Sequence, residues 1–161
     1  MKRIIASLAA VAMVAGAAPA LAGITPTGTT VTLTGELFVK QLLSSNCDAE
    51  IDLAVNSAGT AGSITRLDLA GGTVCSGISP NLPWAVTLTG PNAGIIDVDA
   101  NTSAGWCRGP LAVSYDPVTG KVIIPRTTAN EVDGKIFGFI TEKCVIASNA
   151  PHLDSSPAIA F

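Results

Sequence analysis

Charge is scarce in this sequence. Lys, Arg, Asp and Glu make up 13% of its 161 residues, and no run of basic residues follows Lys2-Arg3. Beyond that pair, seven basic residues stand against twelve acidic ones. A net-acidic surface without a basic cluster argues against nucleic acid and anionic membranes as partners. Histidine is nearly absent, His152 being the single copy, and no C-x-x-C pair occurs. A zinc site therefore lacks its ligand spacing, and no metal or other cofactor is expected. A Ser-His-Asp triad would need His152 held in a pocket, yet no G-x-S-x-G elbow accompanies it. Phosphate-binding and dinucleotide fingerprints are missing as well. No segment of 12 residues after the first 22 carries a helical period, which excludes a helix bundle.

One long apolar run is present, and it lies at the beginning. Lys2-Arg3 precedes an uncharged stretch over residues 4–18, then Pro19 and the small-residue pattern Ala20-Leu21-Ala22 before Gly23. This is the three-part pattern of a secretory signal peptide over residues 1–22. The run is shorter than the roughly 20 residues a spanning helix requires, so a membrane anchor is the weaker reading. No transmembrane segment is expected in the mature chain. Residues 23–161 are then one secreted domain, with a folded core over 28–147 and a loose tail over 148–161. Residues 23–28, rich in Pro, Gly and Thr, are expected to be loosely docked too.

Period-two alternation recurs along the mature part. Val31, Leu33, Leu37 and Val39 take one face of the first segment. Ala49, Ile51, Leu53 and Val55 alternate with Asp48, Glu50 and Asp52, and Ile96, Val98 and Ala100 with Asp97, Asp99 and Asn101. Further strands are expected at 66–69, 84–89, 111–115, 122–124 and 137–146. Turn signals separate them at 56–62, Gly71-Gly72, Gly90-Pro91-Asn92, 116–120 and Asp133-Gly134. About eight short strands predict an all-β fold, an antiparallel two-layer sandwich or flattened barrel.

The four cysteines, Cys47, Cys75, Cys107 and Cys144, form an even set in an exported chain and predict two disulfides. Three pairings exist for four cysteines. A hairpin turning near 57–62 sets Cys47 opposite a position near 72, and a bulge at Gly71-Gly72 brings Cys75 within reach. This favours Cys47–Cys75 and leaves Cys107–Cys144. Of the two tryptophans, Trp84 begins an apolar strand face and is expected in the core, against a disulfide. Trp106 follows Gly105 in a loop-like stretch, where an exposed aromatic is a candidate contact for an apolar ligand or surface. Asn101-Thr102-Ser103 fits the N-glycosylation sequon, relevant only in a host that glycosylates. Asp48, Glu50 and Asp52 have carboxylate spacing suited to glycosidase or calcium chemistry, as do Asp97, Asp99 and Asn101. The plainer reading is a solvated face that keeps a strand from aggregating.

Four stretches together resemble a known family. These are Asn46-Cys47-Asp48; Cys75-Ser76-Gly77-Ile78-Ser79-Pro80-Asn81-Leu82-Pro83-Trp84; Trp106-Cys107-Arg108-Gly109-Pro110; and Glu142-Lys143-Cys144-Val145. The order of the cysteines, with Leu-Pro-Trp after the second, is similar to the bacterial activators of alkane oxidation of the Pra type, over residues 29–147. Residues 121–143 carry more charge than the family pattern, and the tail from Ser148 is extra. The resemblance implies a secreted, non-catalytic accessory protein that helps a cell reach or disperse hydrocarbon at a hydrophobic interface or the cell surface. It brings no catalytic, cofactor or metal residues with it. Two other readings stay open. One is a self-associating fibre or matrix subunit, in which the segment over 29–39 adds as a strand to a neighbour. The other is a secreted hydrolase built on the Asp48, Glu50 and Asp52 carboxylates, which would need to converge with a second acidic strand in a pocket.

Overall fold

Alternation becomes burial first in the opening hairpin. In a computed structural model, which describes residues 23–149 and 152–160, β1 (Thr30–Lys40) buries Val31, Leu33, Leu37 and Val39. It pairs along its whole length with β2 (Ser44–Val55), which buries Cys47, Ala49, Ile51, Leu53 and Val55. The tight turn over Asn56–Thr60 leads into β3 (Ala61–Ala70), where the Asn56 side chain accepts from the Thr60 N–H. Asn56 also falls within the predicted turn. Residues 1–22, the expected signal peptide, lie outside the described residues.

After β3 the chain reverses at Gly71 and Gly72, both at positive φ (108° and 115°), a region that a side chain disfavours. A single helical turn, α1 (Thr73–Ser76), then carries Cys75 to Cys47. The two-residue β4 (Ser79–Pro80) lies against β6 (Ala93–Thr102), which also pairs with β5 (Trp84–Gly90) and β7 (Gly105–Asp116). Short β8 (Lys121–Ile123) and β9 (Glu131–Ile136) both add to β7. From β9 the chain turns into β10 (Ile140–Ser148), which returns to β1.

The ladder β6-β5-β3-β2-β1-β10-β9-β7 closes on itself through β6–β7, giving an eight-stranded antiparallel barrel with short extra strands. Eight strands leave an interior just wide enough for side chains to fill. Here inward residues of every wall meet, among them Ile51, Trp84, Ile96 and Leu111, and the void they leave is about 40 Å³, lined by apolar residues apart from Thr102. Trp84 is buried as expected, and its indole N–H donates to the Asp99 carbonyl at 2.7 Å. The disulfides are Cys47–Cys75 and Cys107–Cys144, the pairing the hairpin argument favours.

Three expectations need correction. The turn signal Asp133-Gly134 lies inside β9, opposite Arg108 and Cys107, and the true reversal is Phe137-Gly138-Phe139. Gly134 is there for packing: a Cβ on it would stand 2.6 Å from the Cys144 sulfur. The tail is not loose. In it, β11 (Asp154–Ser156) pairs with β1 at Thr32–Thr34, and Leu153 and Ile159 are buried. Leu153 packs over Gly35, whose missing side chain makes room for it, and the Ile159 carbonyl accepts the Tyr115 hydroxyl. Residues 23–28 are docked as well, with Ile24 buried and Thr25 bridged to Ala160.

Candidate functional site at the apolar end of the barrel

The up-and-down winding sorts the connections into two sets. At one end lie the β2–β3 turn, the β5–β6 turn at Pro91-Asn92 and the β7–β8 turn at Pro117–Gly120, together with the first and last described residues, Gly23 and Ala160. Their exposed residues include Asn56, Ser57, Thr60, Asn92 and Thr119, with Val118 as the one large apolar side chain exposed among the described residues there. At the other end lie the β1–β2 tip Gln41-Leu42-Leu43, the α1 segment, the β6–β7 tip Ser103-Ala104 and the β9–β10 tip Phe137-Gly138-Phe139. No charged residue occurs in these three tips. Instead Leu42, Leu43, Phe137, Phe139 and Ile140 stand 54%, 65%, 62%, 76% and 45% exposed.

Single exposed apolar residues on a surface need no explanation, but a contiguous set marks a contact region. Leu42, Leu43 and Phe137 are contiguous through a shared hollow of about 220 Å³, whose walls also include Val74 from α1 and Ala104 from the β6–β7 tip. The Phe137 N–H donates to the Ala104 carbonyl at 2.7 Å, tying two of the tips. A collar of charge begins only behind them, with Lys40, Glu142 and Lys143 exposed and Lys143 paired to Asp133.

The Phe137 backbone is the unusual element. Its φ of +51° is the one positive value among non-glycine described residues, and Gly138 follows at +79°. Two successive positive φ values make the tight hairpin reversal that Asn-Gly or Gly-Gly usually supplies. A bulky aromatic there is disfavoured by about 1–3 kcal/mol. An exposed Phe held in that conformation gains little burial to offset the strain, and strain of this kind concentrates at functional positions.

Gln41 forms the polar floor of the hollow. It is 7% exposed, and its amide donates to the carbonyls of Trp106 (3.1 Å) and Lys135 (3.0 Å) while accepting from the Thr102 hydroxyl (2.6 Å). One side chain from the β1–β2 tip thus joins β6, β7 and β9 where the barrel opens. Both disulfides lie in this half: Cys47–Cys75 fastens α1, and Cys107–Cys144 lies beside Gly134 of β9.

The side chains of Trp106 and of the acidic residues singled out from sequence do not line the hollow. Trp106 is in β7, not in a loop, facing outward and half-buried, with the Arg108 guanidinium 5.2 Å from its ring centre. Arg108 also pairs with Asp99 at 2.7 Å, and Asn81 donates to the same carboxylate at 3.0 Å. These two hydrogen bonds, Asn81 first, hold the Asp99 carboxyl below its ordinary range. Asp48, Glu50 and Asp52 line the outer wall of β2. A second acidic strand does meet them there through Asp68, but Arg66 sits among the carboxylates, at 2.7 Å from Glu50, 3.7 Å from Asp52 and in direct contact with Asp68. Thr32 donates to Asp52 at 2.8 Å. The arrangement is an exposed ion cluster around one guanidinium. The apolar tips were not identified from sequence: the strand expected at 137–146 had absorbed Phe137 and Phe139, and the signal against that was Gly138 within the apolar run.

A family model described as alkane oxidation protein activator PraA/PraB-like matches residues 1–160. No curated protein and no solved structure matches the chain.

Proposed function

The chain belongs to the PraA/PraB-like family of alkane oxidation protein activators, and from that premise we propose that it is an exported, non-catalytic accessory that meets hydrocarbon through the apolar end of its barrel. The observation that carries this reading is the ring of exposed Leu42, Leu43, Phe137, Phe139 and Ile140, gathered at one end with no charge among the tips. Transferring such side chains from water to an apolar phase is favourable by roughly 25 cal/mol per Å² of area removed from water. The opposite end, polar in its turns, stays in water, so the molecule takes one orientation at the boundary. Export is supported by the signal-like first 22 residues and by two disulfides, which persist in oxidising compartments.

The fibre reading draws no support from this fold. The segment that was to add to a neighbour is β1, which is paired with β2 on one edge and with β10 and β11 on the other. The test is the tension of a hexadecane–buffer interface under purified, oxidised protein. The wild type is expected to lower it more than an ordinary globular protein of equal size. A variant combining Leu42→Ser, Leu43→Ser, Phe137→Asn and Phe139→Ser is expected to fall back to that baseline. Equal activity in the variant would remove the apolar end from the mechanism.

A further inference from the structure

The hollow at the apolar end has the size and the lining of a binding site. At about 220 Å³ it is larger than the cavities of about 150 Å³ that take up a benzene-sized guest. Its walls are mostly aliphatic, and the residues that line it include no Lys, Arg, Asp or Glu. Val39, Ile78, Thr102 and Cys107 line both this hollow and the void inside the barrel. A guest entering at the mouth therefore presses on a layer with space beneath it, which lets side chains such as Val39 and Ile78 yield inward.

We infer that this mouth pocket takes the end of one uncharged alkyl chain, an alkane or a primary alkanol, and discriminates against the ionised fatty acid. The chemistry of the lining carries the discrimination. The polar groups nearest the guest are those of Gln41 and Thr102, already bonded to one another, and Ser103. A carboxylate drawn in past Leu42, Leu43 and Phe137 towards Val39 and Ile78 would lose water without gaining a cation, and a charge so placed is strongly disfavoured. A methyl end meets no such penalty, and a hydroxyl meets a much smaller one. The inference rests on the proposed meeting with hydrocarbon and adds one-to-one capture to it: the accessory would lift a substrate-like chain and decline the acid to which oxidation leads.

The test is titration calorimetry of the whole oxidised protein with 1-decanol and with decanoate at pH 8, alongside the interfacial measurement. Decanol is expected to bind once per chain, and decanoate about tenfold or more weakly. Val74→Trp, which narrows the hollow from α1 and leaves the three tips unaltered, is expected to weaken decanol binding by about tenfold or more while preserving interfacial activity. Saturable decanol binding that Val74→Trp does not change, or decanoate binding equal to decanol, would overturn the inference. Absence of decanol binding with interfacial activity intact would overturn the pocket and leave the surface reading standing. Loss of both would remove the two together.

Discussion

The Thr102 hydroxyl donates to the Gln41 side-chain carbonyl at 2.6 Å, and through that bond the β6 end of the barrel is fixed to the β1–β2 tip. Gln41→Leu removes this acceptor together with two donors, taking one hydrogen bond each from the carbonyls of Trp106 and Lys135 in a half-buried place. Each buried polar group left without a partner costs about 1–3 kcal/mol. The variant is expected to unfold at lower urea concentration with an unchanged slope. An unaltered midpoint would mean that water replaces all three bonds.

Phe137→Asn is expected to move stability and surface activity in opposite directions. Asn tolerates positive φ far better than Phe, so relief of the strain at +51° is expected to raise stability by about 1 kcal/mol. Loss of the exposed ring is expected to weaken hydrocarbon contact. Urea midpoints and interfacial tension measured on one preparation check both signs, and a fall in stability would show that the ring is needed for packing.

Leu153→Ala tests the docked tail. Leu153 is 1% exposed and fills the space over Gly35. Truncating a buried Leu costs about 2–5 kcal/mol. Hydrogen exchange is expected to show faster exchange at β11 and at the β8 end it touches, with β2 and β6 less affected. Uniform acceleration would instead mean that the tail unfolds only with the whole barrel.

The acid side of the stability profile carries a contribution from Asp99. Its carboxyl is held below the ordinary value of 3.8, first by the Asn81 amide and then by Arg108. A depressed folded value means that the charged form is favoured on folding. The contribution is therefore complete above 3.8 and fades as pH falls through the lower folded value. Carboxyl chemical shifts in Asn81→Ala are expected to move the Asp99 titration upward. Asp116, held low by its own contacts with Thr119 and the Val118 N–H, is expected to stay in place. No movement of Asp99 would assign the depression to Arg108 alone.

How far the fold could be read from sequence varies by element. Cys47, Ala49, Ile51 and Leu53 alternate so regularly with polar neighbours that β2, its burial and its turn were legible, and the Cys47–Cys75 pairing followed from the hairpin. β9 was not legible. Gly134 reads locally as half of an Asp-Gly turn, whereas it is required because the Cys144 sulfur occupies the place of its side chain. That cause acts across strands and leaves no local trace. The tail failed for a similar reason: Leu153 is one apolar residue in an irregular stretch, and its receptor is a glycine far away in β1. At the apolar end, the Leu-Leu and Phe-Gly-Phe residues were visible as letters, but only the up-and-down winding shows that their tips share one end and face water.

If the apolar end meets oil as proposed, the barrel faces a hazard that water does not present. The same liquid that attracts Leu42 and Phe139 would also dissolve the aliphatic interior, and an unrestrained barrel would open and spread into a film. The two crosslinks stand in the half that carries the apolar tips, one holding α1 at the rim and the other beside β9. They leave the tips free while resisting the unzipping of the strands behind them. The expected consequence is residence without denaturation: a molecule that arrives at a droplet, holds its shape there and departs unchanged to meet another.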